Sequence, residues 1–305
     1  MGILPLFLAF PLSSKSSELV KIEKVEKKYK LELVARKFAQ GEVIFVKIKA
    51  IKPGLIEENF KLLADGKEVI LTDLDPDRIG FLPIGPERKP GPMILELQSK
   101  VLFVKTGVKR YQIEIGKTDF LVIKKQSLQI DKKYTDKKYT PEQLKFIEEC
   151  TKAKNLAFAS ESPMQFRKGF ANPVKTVYIT SPFYVRRDYN NQKGRPHGGL
   201  DFRGQSGTPI YAIQDGTVVL AQPMYFEGNF TIIDHGNRIF SFYMHQSEIG
   251  VKVGDRVKKG DEIGKIGSTG MSTGPHLHLG VKINDTLVNP ESVLFLKELG
   301  IPESK

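Results

Sequence analysis

His276-Leu277-His278-Leu279-Gly280-Val281 is the stretch on which the reading of the chain turns. Leucine or valine alternates with other residues at period two, the pattern of a half-buried strand. Side chains at i and i+2 of a strand face the same side. Leu277, Leu279 and Val281 then face a core, and His276 and His278 share the opposite face, on a cleft. Glycine punctuates the neighbouring sequence at 250, 254, 260, 264, 267, 270 and 274, and earlier at 194, 198, 199, 204, 207, 216, 228 and 236. This texture predicts a Gly-rich antiparallel β-sandwich over residues 161–305, with glycine supplying turns and bulges.

All five histidines, 197, 235, 245, 276 and 278, fall in this half of the chain. His197-Gly198-Gly199-Leu200-Asp201 sets an imidazole and a carboxylate four apart. The two glycines, each costing about 1 kcal/mol in a helix, argue for a loop running into a strand. Zinc takes nitrogen and oxygen donors, and its catalytic sites use three protein ligands and leave a fourth position open. On spacing alone, His197, Asp201 and one of His276 and His278 make such a set. The remaining histidine of the pair then stands beside the metal as a base or transition-state donor. Spacing alone also leaves open a structural metal site or hydrogen-bonded core histidines.

Gly194-Arg195-Pro196-His197-Gly198-Gly199-Leu200-Asp201 resembles the first metal motif of the lysostaphin/LytM-type zinc metallopeptidases, and the Gly270–Leu279 stretch GMSTGPHLHL resembles their last. Between them, Ile233-Asp234-His235-Gly236 and Phe242-Tyr243-Met244-His245 match in order and spacing. Ser181-Pro182-Phe183 with Arg186-Arg187 resembles the segment that opens the domain. The resemblance covers about residues 170–290. It implies one Zn²⁺ per chain held by His197, Asp201 and His278, with His245 and His276 as the catalytic pair around a metal-activated water. It further implies an endopeptidase acting on peptide cross-links or stems of bacterial peptidoglycan, in the periplasm or secreted. Two positions depart from the family pattern: Met244, where a small residue is usual, and Phe183-Tyr184, where Phe-Gly is usual. The alternative is a catalytically silent wall-binding or regulatory module that keeps the fold; the complete histidine set favours the enzyme. Arg187 and Asn191, in the loop before the first ligand, and His235 are candidate substrate contacts, although a structural hydrogen-bonding role is the plainer reading of His235.

Residues 18–130 hold no histidine and read as a second, β-rich module. Apolar stretches at 29–35, 43–50, 68–71, 93–97, 101–104, 111–115 and 120–123, separated by Gly/Pro/Asp turn signals, predict a small β-sandwich. It reads as an accessory domain, with substrate positioning or autoinhibition as its sharper role. Residues 131–160 form a linker. Its tandem pentapeptide, Asp-Lys-Lys-Tyr-Thr from 131 to 140, reads as a solvated connector. Thr140-Pro141-Glu142-Gln143 then starts a helix expected to reach about Lys154, with Thr140 and Gln143 as a capping box and Cys150 as inert packing. Asn289-Pro290-Glu291 starts another short helix, closed by Gly300.

The chain has 305 residues, 40% hydrophobic and 27% charged, with a net charge of +12; its mean hydropathy is −0.26. This composition is globular. The positive charge is spread over both halves and not gathered into one arm, which argues against nucleic acid and suits an acidic wall polymer. The apolar run at the start, within residues 1–17, has the length of a signal-peptide core and is too short for a transmembrane helix. A single cysteine excludes an intramolecular disulfide framework. No G-x-S-x-G elbow is present. Gly267-Ser268-Thr269-Gly270 is a turn, because no lysine or helix follows it as a phosphate loop requires.

Overall fold

A computed structural model describes residues 19–51, 58–74, 77–101, 104–124, 134, 138–188 and 194–299. The expected leader at 1–17 and the helix-closing Gly300 lie outside the described residues. The chain divides into two compact units. Both are mainly β, and no helix among the described residues is long and apolar enough to cross a membrane.

The first unit, residues 17–119 with 286–288, is built on two sheets. One has the strand order Val20–Val25, Tyr29–Ala35, Val43–Ala50, Asp77–Pro83, Leu71–Leu74; the other has Lys67–Val69, Glu58–Ala64, Gly91–Val101, Val104–Ile115. Period-two alternation sends Leu31, Leu33, Val46 and Ile48 from the first sheet and Leu62, Leu95, Leu97 and Ile113 from the second into one core. Two sheets sharing a core make the expected sandwich. The stretch 101–104 is not a separate strand: Val101 ends one strand and pairs with Val104, which begins the next, and residues 102–103 lie outside the described residues. Asp77–Pro83 escapes the sequence pattern because it opens on a charged pair. Asp77 is held by Lys47 at 3.0 Å.

The second unit contains residues 120–285 and all five histidines. Its main sheet has the order Ile179–Ser181, Leu200–Arg203, His276–Ile283, Ile239–Gln246, Gly228–Asp234, Gly216–Met224, Arg256–Val257. A smaller antiparallel sheet joins Pro209–Tyr211, Glu262–Lys265 and Glu248–Ile249. The apolar stretch expected as a strand at 120–123 belongs here, where Val122–Lys124 runs parallel to Arg186–Asp188.

The helix Pro141–Phe158 begins with the capping box: Thr140 Oγ1 accepts from the Gln143 amide at 3.3 Å, and Gln143 Oε1 accepts from the Thr140 amide at 2.9 Å. It extends one turn beyond Lys154. Cys150 and Ala157 pack against Leu220, Met224, Phe230, Ile232, Phe240 and Phe242, so the helix covers one face of the main sheet. The tandem repeat before it is not simply solvated. Tyr134 and Tyr139 lie 5.5 and 5.8 Å from the Tyr225 ring, and each lies 6.3 Å from that of Phe226. Asn289 caps Pro290–Leu294 by accepting from the Glu291 amide at 3.1 Å.

Candidate metal centre and active site

The register of the main sheet builds the site. Leu200 pairs with Leu279 and Asp201 with His278 across antiparallel strands. Leu200, Leu277 and Leu279 are fully buried, which leaves Asp201, His276 and His278 to the other face. His197 arrives from the preceding loop, where its amide donates to the Val185 carbonyl at 2.9 Å and its carbonyl accepts from the Tyr184 amide at 2.8 Å. Gly199 allows this approach. A Cβ there would sit 2.2 Å from the Leu279 carbonyl oxygen and 2.7 Å from His278 Nε2.

Three donor atoms converge: His197 Nε2, Asp201 Oδ1 and His278 Nδ1 are mutually 2.9 Å apart. His197 Nδ1 donates to the Pro182 carbonyl at 2.9 Å, so in the neutral ring Nε2 carries the lone pair. Lone pairs and a carboxylate aimed at each other repel unless a proton or a cation lies among them. Burial works against charge on Asp201, but with protons in place of a cation the charged His197 ring and the imidazole N–H groups then facing Oδ1 hold its carboxyl well below the ordinary value. Burial likewise opposes a charge on His197, and the Asp201 carboxylate outweighs it and raises the pKa. Burial pushes His278 down. Two imidazoles and a carboxylate, one ring oriented by a backbone carbonyl, suit a divalent cation. These three residues form the group among the described residues that could hold a metal ion.

His245 and His276 flank the triangle. Their ring centroids are 4.9 Å apart, and His276 Nε2 is 3.7 Å from Asp201 Oδ1. Each donates through Nδ1 to a backbone carbonyl at 2.8 Å, His245 to Thr269 and His276 to Gly274. Nε2 of each is thereby left with its lone pair. Burial, with His276 and His278 adding repulsion, pushes His245 down to about 3, so it is neutral at physiological pH. His245 has φ +63°, a left-handed conformation that is rare outside glycine. The cause is a β-bulge: Asn229 pairs with Gln246 and Thr231 with Tyr243, so Met244 and His245 stand opposite Phe230 alone. Met244 pairs directly with His278.

The other candidates separate. Arg187 Nη2 donates to Ser181 Oγ at 2.9 Å, and that oxygen lies 3.3 Å from His197 Nδ1, which puts Arg187 behind the first donor. Asn191 lies outside the described residues. The structure does not bring His235 to the cluster. Its ring is fully buried, Nδ1 donates to the Asp215 carbonyl at 2.7 Å, and Nε2 is 2.8 Å from Ser241 Oγ. Burial lowers its pKa to about 4. Sequence reasoning missed the carbonyls of Pro182, Thr269 and Gly274, since any residue type supplies a carbonyl.

A β-rich unit thus presents a His-Asp-His donor set that could hold a metal ion, with two further imidazoles beside it. Residues 195–290 match Peptidase family M23, so the chain contains a domain of that family. Peptidoglycan DD-endopeptidase ShyA of Vibrio cholerae is 41% identical over 112 residues, covering 36% of this chain and 26% of that protein. DD-carboxypeptidase/endopeptidase Mpg of Neisseria meningitidis is 38% identical over 131 residues, covering 43% of this chain and 30% of that protein. A crystal structure from Pseudomonas aeruginosa assigned to peptidase M23 superposes with a TM-score of 0.60 at 28% identity, over 86% of this chain and 96% of that one. The matched region spans between 26% and 32% of the length of the curated relatives.

Proposed function

We propose that the chain is a zinc-dependent endopeptidase that hydrolyses peptide cross-links or stems of peptidoglycan in the cell envelope, periplasmic or secreted. The observation that carries this reading is the triangle of His197 Nε2, Asp201 Oδ1 and His278 Nδ1, each 2.9 Å from the other two. In this proposal these three residues are the ligands. Relatives named for DD-endopeptidase activity support the choice of substrate.

An ion in this set supplies Lewis-acid polarisation of a carbonyl and a lowered pKa for water. His276 and His245 provide the proton chemistry. Their Nδ1–H groups are anchored on Gly274 and Thr269, so the rings cannot turn and Nε2 is the working atom of each. His276 takes a proton from water, directly or through His245. The protonated imidazole then hydrogen-bonds the developing oxyanion and passes its proton to the leaving amine. One carboxylate among the ligands leaves a dication site net positive, which favours negative charge developing on the substrate. Ser181, which accepts from Arg187, supports the back of His197.

The test is metal analysis of the purified protein combined with digestion of purified cell walls with and without a chelator, the fragments being identified by mass spectrometry. Stoichiometric zinc and chelator-sensitive release of cut peptides are expected. Wall material left intact by the zinc-loaded protein overturns the reading in favour of a silent module.

A further inference from the structure

The hairpin connection Tyr225-Phe226-Glu227 contributes no donor to the metal cluster, yet the catalytic side of the site rests on it. The Glu227 carbonyl accepts from the His245 amide at 2.9 Å, and the Phe226 carbonyl accepts from the Met271 amide at 2.7 Å. Beside them, the Asn229 amide donates to Thr269 Oγ1 at 2.9 Å. Thr269 is also the residue whose carbonyl anchors His245 Nδ1. The turn is pressed against this loop: at Gly228, φ +68°, an added Cβ would fall 2.3 Å from Thr269 Oγ1. A histidine at φ +63° persists only where its surroundings over-determine it. Here the over-determining contact on the amide side is a carbonyl of this turn.

The turn is in turn tied to the helix Pro141–Phe158. Its Tyr225 amide donates to Cys150 Sγ at 3.4 Å. Lys154 Nζ donates to Glu227 Oε1 in a closely held ion pair whose carboxylate side chain is only 11% exposed. Glu227 Oε2 is buried without a hydrogen-bond partner. A pair this far out of water adds little net stability, whereas removing one partner strands the other's charge. Its effect is therefore on which conformation the turn adopts.

We infer that Lys154 and Glu227 are positioning residues for His245: their ion pair locks the helix to the hairpin turn, and the turn's Glu227 carbonyl holds His245 in the left-handed conformation that aims its imidazole at the metal cluster. That His245 takes part in hydrolysis rests on the function proposed above; the structural coupling does not.

The test is residue-resolved amide hydrogen exchange of the zinc-loaded full chain, together with kcat and KM on soluble cross-linked wall fragments. In Lys154→Met, exchange at the His245 amide rises at least tenfold while amides of the central strand His276–Ile283 keep their protection. Bound zinc stays stoichiometric, kcat falls at least tenfold and KM stays within twofold. Lys154→Arg, which keeps the charge, restores slow exchange and kcat. Glu227→Gln breaks the pair from the other side and leaves the unpaired charge on Lys154, the more exposed partner (27% against 11%); it reproduces the Lys154→Met pattern, which covers the case in which Lys154→Met folds poorly. Wild-type exchange at His245 in both Lys154→Met and Glu227→Gln overturns the inference. Equal acceleration of all core amides also overturns it, since the pair would then be a general stabiliser. If the wild type cuts no wall fragment but His245 exchange still responds as described, the positioning inference stands and the endopeptidase reading falls.

Discussion

Asp201 and His278 face each other across adjacent antiparallel strands, with Oδ1 and Nδ1 2.9 Å apart. His197 Nε2 completes the triangle from a loop. Losing one of three donors leaves a pair too weak to retain an ion through dialysis. His278→Ala and Asp201→Ala are therefore expected to come off a desalting column without zinc, as read by elemental analysis. His245→Ala and His276→Ala keep zinc and lose roughly 10²–10⁴ in turnover, the usual weight of positioned acid–base groups. Full zinc occupancy in His278→Ala contradicts the ligand assignment.

Tyr184 occupies a position where the backbone wants glycine. Its φ is +62°, and its ring is retained by Phe120 at 4.8 Å and Phe183 at 5.5 Å. Removing the ring costs those contacts in any variant, but alanine also keeps the Cβ strain. Tyr184→Gly should then be more stable than Tyr184→Ala by roughly 1 kcal/mol, the reverse of the usual Ala-over-Gly order. Denaturant midpoints of the two variants decide this, and a more stable alanine variant would count against strain at this position.

Much of the site was legible because strand chemistry is periodic. The alternation around His276-Leu277-His278 gave the face on which both imidazoles stand, and the observed burial of Leu277, Leu279 and Val281 agrees with it. His197 Nε2 comes within 2.9 Å of Asp201 Oδ1 because Gly199 lets the loop close onto the neighbouring strand. The bulge at Met244 and His245 was not legible, since an extra residue against Phe230 is a property of pairing, not of composition. The Glu58–Ala64 and Asp77–Pro83 strands were hidden by charged residues whose ladder partners lie elsewhere in sequence. The tyrosines of the tandem repeat read as solvent-facing because their partners, Tyr225 and Phe226, lie some 90 residues away.

Gly199 separates a metal-site effect from a folding effect. Alanine there places its Cβ 2.7 Å from His278 Nε2 and 2.2 Å from the Leu279 carbonyl oxygen. Gly199→Ala is expected to weaken zinc binding by at least the 10–100-fold seen when support behind a ligand is lost. Gly274→Ala, where nothing lies within 4 Å of the added Cβ, should leave zinc affinity unchanged. Competition titration with a chromogenic chelator measures both; equal affinities would show that the Gly199 contact relaxes without cost.

His235 makes stability fall in acid without touching the metal. Burial lowers its folded pKa to about 4 from an ordinary 6.5, so between those values the unfolded chain binds a proton that the folded chain refuses. Stability is flat above pH 6.5, declines as pH falls towards 4, and the full difference is about 3 kcal/mol. His235→Gln cannot titrate. At pH 7.5 it should be less stable than wild type, because it disturbs the bonds to the Asp215 carbonyl and Ser241 Oγ. The gap between the two proteins should close as the pH is lowered to 4.5. Denaturant midpoints of the metal-free proteins across that range test this, and a gap that stays constant with pH would mean that His235 does not titrate differently on folding.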